Sequence, residues 1–314
     1  MKLHHLLLGG AAAALISQAA LAQAEREPIT DTASDDTDSG YHDAEAATII
    51  VTAPYRRAQI DTLSGTSVLS GQELTRELRP TIGETLAREP GVSATSFGPN
   101  ASRPVLRGFQ GGRVRVLTDG IGSFDVSNTS VDHAVAINPL TADRIEVLRG
   151  PSALLFGSSA VGGVVNVIDS RIPRRVPDEP VHVEALATYG SAADERSVSG
   201  AIDVPAGDLF VFHVDGSYSK TDDLETGGHI LSREQRRIAR ASGDPEIEAL
   251  ADLKGTLPNS AAESWEVAGG GALITDGGNL GFSVSHIDNL YGVPVRYSLD
   301  PAVEAEEVRI DMRQ

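Results

Sequence analysis

Asp132 and His133 are the neighbouring residues in this sequence best suited to bind a metal ion. A carboxylate oxygen is a hard ligand and an imidazole nitrogen a borderline one, so one loop would supply half of the donors of a tetrahedral zinc site. The alternative is that both side chains form hydrogen bonds within their own loop. The pair therefore predicts either a divalent-metal site or an ordinary polar loop.

The sequence contains no recognisable set of catalytic residues. It has no His-Glu-x-x-His motif, and the glycine cluster at 157–163 lacks the Lys-Ser/Thr pair of a phosphate-binding loop. The absence of cysteine excludes disulfides, thiolate metal sites and cysteine nucleophiles. We therefore predict that the protein is not an enzyme and has no cofactor of its own.

The charge balance argues against a nucleic-acid partner. The 314 residues include 26 Lys and Arg against 44 Asp and Glu, a formal net charge of −18. Phosphate backbones require clustered positive charge, which such a chain does not offer. No nucleic-acid role is expected.

The N-terminus has the features of a secretory signal peptide over residues 1–22. Lys2 gives a basic start, Leu6–Ile16 is apolar, and Ala20-Leu-Ala22 supplies small residues for cleavage. No other stretch approaches 18 apolar residues, so a membrane crossing would have to use β-strands. The segment that follows, to residue 47, is acidic and polar and is predicted to be disordered.

The elements that must position these residues change in type along the chain. From 66 to 169 short strands alternate with short helices, which predicts a compact α+β domain. After Pro180 the apolar side chains recur at every second residue, as in 208–220 with Phe210, Phe212 and Val214. Runs of this length match tilted transmembrane strands, and short turns alternate with longer loops between most of them. A soluble β-sandwich is the alternative.

Four Gly-punctuated runs carry a family resemblance: Arg103–Gly108, Gly112–Gly120, Arg144–Pro151 and Gly162–Asp169. They resemble the plug domain of the TonB-dependent outer-membrane receptors. The resemblance implies an α+β plug domain followed by the N-terminal part of an antiparallel transmembrane β-barrel, 22-stranded if complete. It also implies uptake of a scarce nutrient across the outer membrane of a Gram-negative cell.

The resemblance divides the chain into four parts: a signal peptide at 1–22, a flexible acidic leader at 23–57, a plug at 58–175 and about six barrel strands at 176–314. Six strands cannot close around a plug, so the chain is expected to be an N-terminal fragment of a longer receptor. The alternative hypotheses are an inactive truncated product and a passive outer-membrane binding protein. The outer surface of the barrel strands would contact outer-membrane lipid.

A β-branched run at about 48–54 is predicted to be the TonB box, comprising Thr48, Ile49, Ile50, Val51, Thr52 and Ala53. Such a strand at the end of a disordered leader can add to the sheet edge of a partner. The resemblance names that partner as TonB, the periplasmic energy-coupling protein. Alternatively, the run is the first internal strand of the plug.

Five residues of the plug motifs are predicted to contact the barrel wall: Arg103, Arg107, Glu146, Arg149 and Gly150. The resemblance implies that the last three belong to the most recognisable plug motif and face the barrel. Charge-assisted hydrogen bonds would hold a plug in a polar lumen and still be reversible in water. The alternative is an ordinary solvated face.

The substrate has two readings. The 122–135 loop with Asp132 and His133, and the Tyr291-Gly-Val-Pro294 motif, resemble the zinc-uptake branch of the family. That branch has a His-rich loop after the second motif, whereas this chain has no His there. The transported metal is therefore predicted to be a divalent ion such as zinc or, alternatively, an iron–siderophore or other chelate.

Overall fold

The computed structural model describes residues 49–50, 57–58, 65–122, 127, 130, 133–294 and 308–314. The predicted signal peptide, Thr48, Val51–Ala53 and Asp132 lie outside these residues. The first two strands, β1 (Ile49–Ile50) and β2 (Arg57–Ala58), pair antiparallel and form a sheet of their own. The predicted TonB-box residues Ile49 and Ile50 are therefore extended and separate from the plug sheet.

The region from 65 to 169 is an α+β unit, as predicted. Its elements are β3 (Ser67–Ser70), α1 (Gly71–Glu77), α2 (Ile82–Thr85), β4 (Val92–Ala94), β5 (Pro104–Leu106), β6 (Val114–Thr118), β7 (Ile121–Gly122), β8 (Ala142–Leu148) and β9 (Gly163–Asp169). The main sheet has the order β3-β8-β9-β6-β7, with β6 and β9 parallel. Its core includes Leu69, Leu74, Ile82, Ile145 and Val165, all buried.

Local sequence signals account for these elements. Leu74 and Leu78 lie four residues apart, and both pack on the plug core. The Thr81 hydroxyl accepts a hydrogen bond from the Glu84 backbone N–H and caps α2. Asp119 and Gly120 both have positive φ, 49° and 81°, as a two-residue hairpin turn requires. They form the turn of the hairpin between β6 and β7.

Six strands after the plug form one antiparallel sheet, here called the wall. They are β10 (His182–Gly190), β11 (Glu195–Ala206), β12 (Phe210–Thr221), β15 (Ala262–Thr275), β16 (Gly278–Val293) and β17 (Val308–Arg313), hydrogen-bonded in that order. Residues 207–209 and 276–277 form short turns between neighbouring strands at one end of the strands, here called the turn rim. Residues 222–261 form a long connection at the opposite end of the strands, here called the loop rim. The wall has the predicted strands and the predicted alternation of connections.

The two faces of the wall have opposite polarity. On β12, Phe212 and Val214 are each 56% exposed. The alternate residues His213 and Asp215 are only 1% and 5% exposed. A soluble sandwich would bury the apolar face instead. The polar face packs against the plug and the apolar face is uncovered, which is the arrangement of a barrel wall around a polar lumen.

The long connection at the loop rim folds on itself. It contains β13 (Glu225–His229), α3 (Arg233–Arg240), α4 (Pro245–Leu250) and β14 (Lys254–Thr256). Ser232 and Gln235 form a complete capping box at the start of α3. Leu231, Ala239, Ile247 and Ala251 form a small core beneath the helices. Among the described residues, none of the helices is long and apolar enough to cross a membrane.

Candidate plug–wall interface

Arg171, two residues after β9, links the plug to the wall. Its Nε lies 3.1 Å from Asp215 Oδ2, and its Nη2 donates to Asp215 Oδ1 at 3.2 Å and to Glu266 Oε1. Arg171, Asp215 and Glu266, here called the Arg171 cluster, are all buried. Burial alone lowers the pKa of Arg171, but the Glu266 and Asp215 carboxylates raise it above its ordinary value. The guanidinium therefore stays charged in this dry contact.

The Arg171 cluster continues along the wall through His213. This imidazole lies between Asp203 on β11, at 2.7 Å from Nδ1, and Asp215, at 3.1 Å from Nε2. Asp203 and His213 are register partners on adjacent strands, so the sheet itself fixes their separation. The inward face of the wall thus presents a hydrogen-bonded row of ionisable side chains, Asp203, His213 and Asp215, to Arg171.

A short 3-10 helix of the plug, Pro139–Thr141, also contacts the wall. Asn138, at its N-cap, donates to Ser217 Oγ at 2.6 Å. Thr141 Oγ1 lies 3.4 Å from Glu266 Oε2 and accepts from Arg171 Nη2 at 3.3 Å. The 3-10 helix and Arg171, which lies in the linker between β9 and β10 (residues 170–181), therefore contact the same wall carboxylate.

A second set of contacts lies near the loop rim. The Ala134 backbone N–H donates to the Tyr291 hydroxyl at 2.8 Å, and both residues are buried in a cluster with Ala101. Asn100 donates to the backbone carbonyl of Ser260 at 2.8 Å. These contacts fix the plug segments that approach the loops.

Glycine at position 270 allows the linker to approach the wall. A Cβ at Gly270 on β15 would lie 2.1 Å from the Arg171 carbonyl oxygen. Such a distance is impossible without a backbone shift, so the Arg171 cluster depends on a missing side chain as well as on charge.

The predicted metal-binding pair is only half described. His133 is half-buried, and its backbone N–H donates to the Ser130 carbonyl at 3.4 Å. Within the described ranges, no three His, Cys, Asp or Glu side chains are grouped so that they could hold a metal ion. A metal site at Asp132 and His133 stays a prediction.

Two of the residues predicted to contact the barrel make contacts within the plug. Glu146 is fully buried and accepts from Arg144 Nε at 3.1 Å. Arg149 donates to Ser67 Oγ at 2.9 Å. Burial and the nearby Arg107 lower the pKa of Arg149.

The other three predicted contact residues differ in exposure. Arg103 is 4% exposed, whereas Arg107 and Gly150 are exposed. Contact of all five predicted residues with the barrel stays a prediction.

The sequence reasoning missed the residues that do join the plug to the described wall. Arg171, Asn138 and Thr141 belong to none of the plug motifs. The available signal was on the wall side, where Asp215 and Glu266 occupy inward positions of strands whose other face is apolar. Buried carboxylates require a cationic partner, so these two positions predict an arginine or lysine on the segment that packs against them.

A pair of carboxylates lies at the plug's edge. Asp119 hydrogen-bonds with Asp169, and Arg174 Nη2 lies 3.1 Å from Asp119 Oδ1. Partial desolvation and the negative charge of Asp169 raise the pKa of Asp119 from 3.8 to about 7, although its side chain is 29% exposed. Because its pKa is higher in the folded state than in the unfolded state, protonation of this carboxyl stabilises the fold fully below about pH 4. This stabilisation is lost as the pH rises from about 4 to about 7.

Comparison with known proteins agrees with this geometry. Residues 58–164 match the model of the TonB-dependent Receptor Plug Domain family. The chain carries a TonB-dependent receptor plug domain. A hemin receptor from Yersinia pestis is 32% identical over 232 residues, which cover 72% of this chain and 32% of that receptor. The chain thus spans about a third of the length of this relative.

Solved receptors share the fold of the plug and wall. The pyoverdine outer-membrane receptor FpvA from Pseudomonas aeruginosa matches with a TM-score of 0.54 at 16% identity, over 79% of this chain and 31% of FpvA. The alcaligin outer-membrane receptor FauA from Bordetella pertussis matches with a TM-score of 0.52 at 18% identity, over 78% of this chain and 36% of FauA. Identities this low establish the fold alone.

These comparisons confirm three predictions. The chain has the TonB-dependent receptor plug, its wall is the N-terminal part of a receptor barrel, and the relatives are receptors rather than enzymes. They do not single out the zinc-uptake branch.

Proposed function

We propose that this protein acts in the energised uptake of a chelated nutrient, such as heme or a ferric siderophore, through the outer membrane of a Gram-negative cell. The observation that carries the proposal is a plug held against the polar face of an outward-apolar wall by the Arg171 cluster. Lipid would cover the apolar face. A plug held by ion pairs and hydrogen bonds can be released and restored without breaking covalent bonds.

The uptake cycle we propose begins with ligand binding at the loop rim. Binding favours the state in which the TonB box is available on the opposite side, because a ligand shifts the population toward the state that binds it better. TonB then pairs with the strand around Ile49 and Ile50 and pulls on the plug. In this scheme residues 1–22 are removed on export, 23–57 carry the box, 58–175 form the plug and 176–314 begin the barrel.

The choice of a chelate over free zinc rests on two observations. A relative that is 32% identical is a hemin receptor. Among the described residues, no three His, Cys, Asp or Glu side chains are arranged so that they could hold a metal ion. Zinc bound by Asp132 and His133 is the second candidate, and it predicts that His133→Ala lowers zinc affinity and leaves heme binding unchanged.

The test measures binding and uptake separately in a strain that lacks its own heme and siderophore receptors and expresses the intact gene. Iron-55 hemin and a ferric hydroxamate siderophore serve as probes. Ile50→Pro should abolish uptake and leave surface binding unchanged, because proline removes a strand hydrogen bond donor. Ala46→Pro, outside the box, is the matched control. Uptake that survives Ile50→Pro, or that does not require TonB, would contradict the proposal.

A further inference from the structure

The outward face of the wall changes in polarity along its strands. Register partners on neighbouring strands form rows across this face, and the rows toward the turn rim are apolar. One such row includes Ile202 on β11, Val214 on β12 and Val284 on β16. These three side chains are between 45% and 72% exposed, so this part of the face suits the acyl chains of a bilayer.

An aromatic row lies nearer the loop rim. Tyr218 on β12 and Trp265 on β15 are register partners, and they are 39% and 40% exposed. Tyrosine and tryptophan have an apolar body and a polar tip, which favours the boundary between acyl chains and headgroups. This row therefore marks the end of the apolar band on the loop-rim side.

Positive charge on the outward face is confined to this boundary. The six wall strands contain four Lys and Arg residues, and all four face outward, within the aromatic row or between it and the loop rim: Arg196, Lys220, Arg309 and Arg313. Carboxylates alternate with them on the same face, as Glu263 does beside Lys220. The row thus presents a mixture of cations and carboxylates directly above an apolar surface.

Two of these cations lie side by side. Arg196 and Lys220 are register partners on β11 and β12, so their Cβ atoms are about 5 Å apart. Like charges directly opposite each other destabilise a sheet, and an anion between them would remove that repulsion. Arg196 pairs with Asp194 and Lys220 with Glu263, but these side chains are 38% to 71% exposed, and such exposed pairs are weak. A phosphate can therefore compete for both cations.

We propose that Arg196 and Lys220 bind a phosphate of the outer-leaflet glycolipid, an acylated and phosphorylated diglucosamine, whose acyl chains cover the apolar rows of β11 and β12. A ligand that is anionic at one end and apolar at the other matches this face, whereas a soluble anion would leave the apolar rows uncovered. The neighbouring carboxylates suit a lipid whose phosphates are bridged by divalent cations, because carboxylate and phosphate oxygens share such ions. The inference rests on the proposed function, which places the loop rim outside the cell.

Lipid binding to the purified intact receptor in detergent tests this site. The probe is bisphosphorylated lipid A in a buffer with Mg²⁺, and native mass spectrometry measures its affinity. Arg196→Gln/Lys220→Gln should weaken binding about tenfold, because the charge-assisted contacts to one phosphate are lost. The matched control is Arg237→Gln/Arg240→Gln, which removes the same charge from exposed, ion-paired arginines of helix α3. Arg196→Lys/Lys220→Arg keeps both charges and should bind normally.

Two further probes test the choice of lipid. Dephosphorylated lipid A should bind the unmodified receptor about tenfold more weakly, since it has no anion for the two cations. Phosphatidylglycerol should also bind more weakly than bisphosphorylated lipid A. Equal affinity for either probe would overturn the proposal. Equal weakening in the two glutamine double variants, or no weakening in the first, would overturn it as well.

The leaflet is tested in intact cells with a photo-reactive phenylalanine analogue. At position 218 it should capture the glycolipid, and at position 210, near the turn rim, it should capture phospholipid. Phospholipid captured at 218 would contradict the proposal. If the receptor took up neither iron-55 probe, the proposed function would fail, and both lipid measurements would still decide this site.

Discussion

Replacing Arg171 by methionine removes the guanidinium that joins the linker to both wall carboxylates. Methionine preserves much of the side-chain length and apolar contact while deleting the charge and its hydrogen bonds. In the variant, Glu266 loses its contact with Nη2, and Asp215 keeps His213 at 3.1 Å. Both carboxylates stay at most 7% exposed, so water replaces the lost partner poorly.

The expected loss follows from this burial. Removing one partner of a buried ion pair costs about 3–5 kcal/mol, and His213 places the value near the lower end, at about 3 kcal/mol. Arg174→Met is the matched control, because Arg174 pairs with Asp119 with side chains 36% and 29% exposed. An exposed pair contributes about 0–1 kcal/mol.

Hydrogen exchange of the intact receptor in detergent measures this difference locally. Amides of β9 and of the linker through residue 175 should exchange about 100-fold faster in Arg171→Met if exchange proceeds through local opening, since 1.4 kcal/mol corresponds to a factor of ten. Arg174→Met should change them less than about fivefold. The exchange rates in Arg171→Lys should lie between those of the unmodified receptor and of Arg171→Met, because lysine keeps the charge and loses the bidentate contact. Equal protection in the two methionine variants would refute the account of plug retention.

Three further changes test the surrounding contacts. Asp119→Asn should stabilise the receptor by about 1–2 kcal/mol at pH 7.5 and flatten the fall in stability between pH 4 and 7, measured by urea unfolding; an unchanged slope would exclude Asp119 as its source. Tyr291→Phe should cost about 1–2 kcal/mol and raise exchange at the Ala134 amide, which loses its acceptor; unaltered exchange there would contradict this. Glu146→Ala should lower plug stability by about 3 kcal/mol and Glu146→Gln by less, measured by thermal proteolysis; equal losses would show that charge is unimportant.

Much of the fold could be predicted because its signals are local. The alternation in β12 is visible within the twelve residues from Phe210 to Thr221, and it fixes which face is apolar. Asp119-Gly120 predicts its hairpin from two residues, since few types tolerate positive φ. The helices of the long connection follow from their caps, Ser232 and Asp244.

The interface could not be predicted, because its partners are distant in sequence. Arg171 lies 44 residues from Asp215 and 95 from Glu266, and only the register of β12 with β15 brings both carboxylates to one guanidinium. Sequence identifies inward positions on each strand but not their height against the plug. Motif resemblance drew attention to Glu146 and Arg149, whose described contacts stabilise the plug itself.

In the proposed receptor the wall faces lipid on its apolar side and the plug on its polar side. Spin labels at single cysteines along β12, from 210 to 219 in the intact receptor in lipid bilayers, test it directly. Residues 1–314 contain no cysteine, and any cysteine elsewhere in the receptor is replaced by serine. Collision with oxygen, which concentrates in lipid, should be high at 210, 212 and 214 and low at 211, 213 and 215. A uniform profile, or high values at the odd positions, would contradict a plug-filled barrel wall.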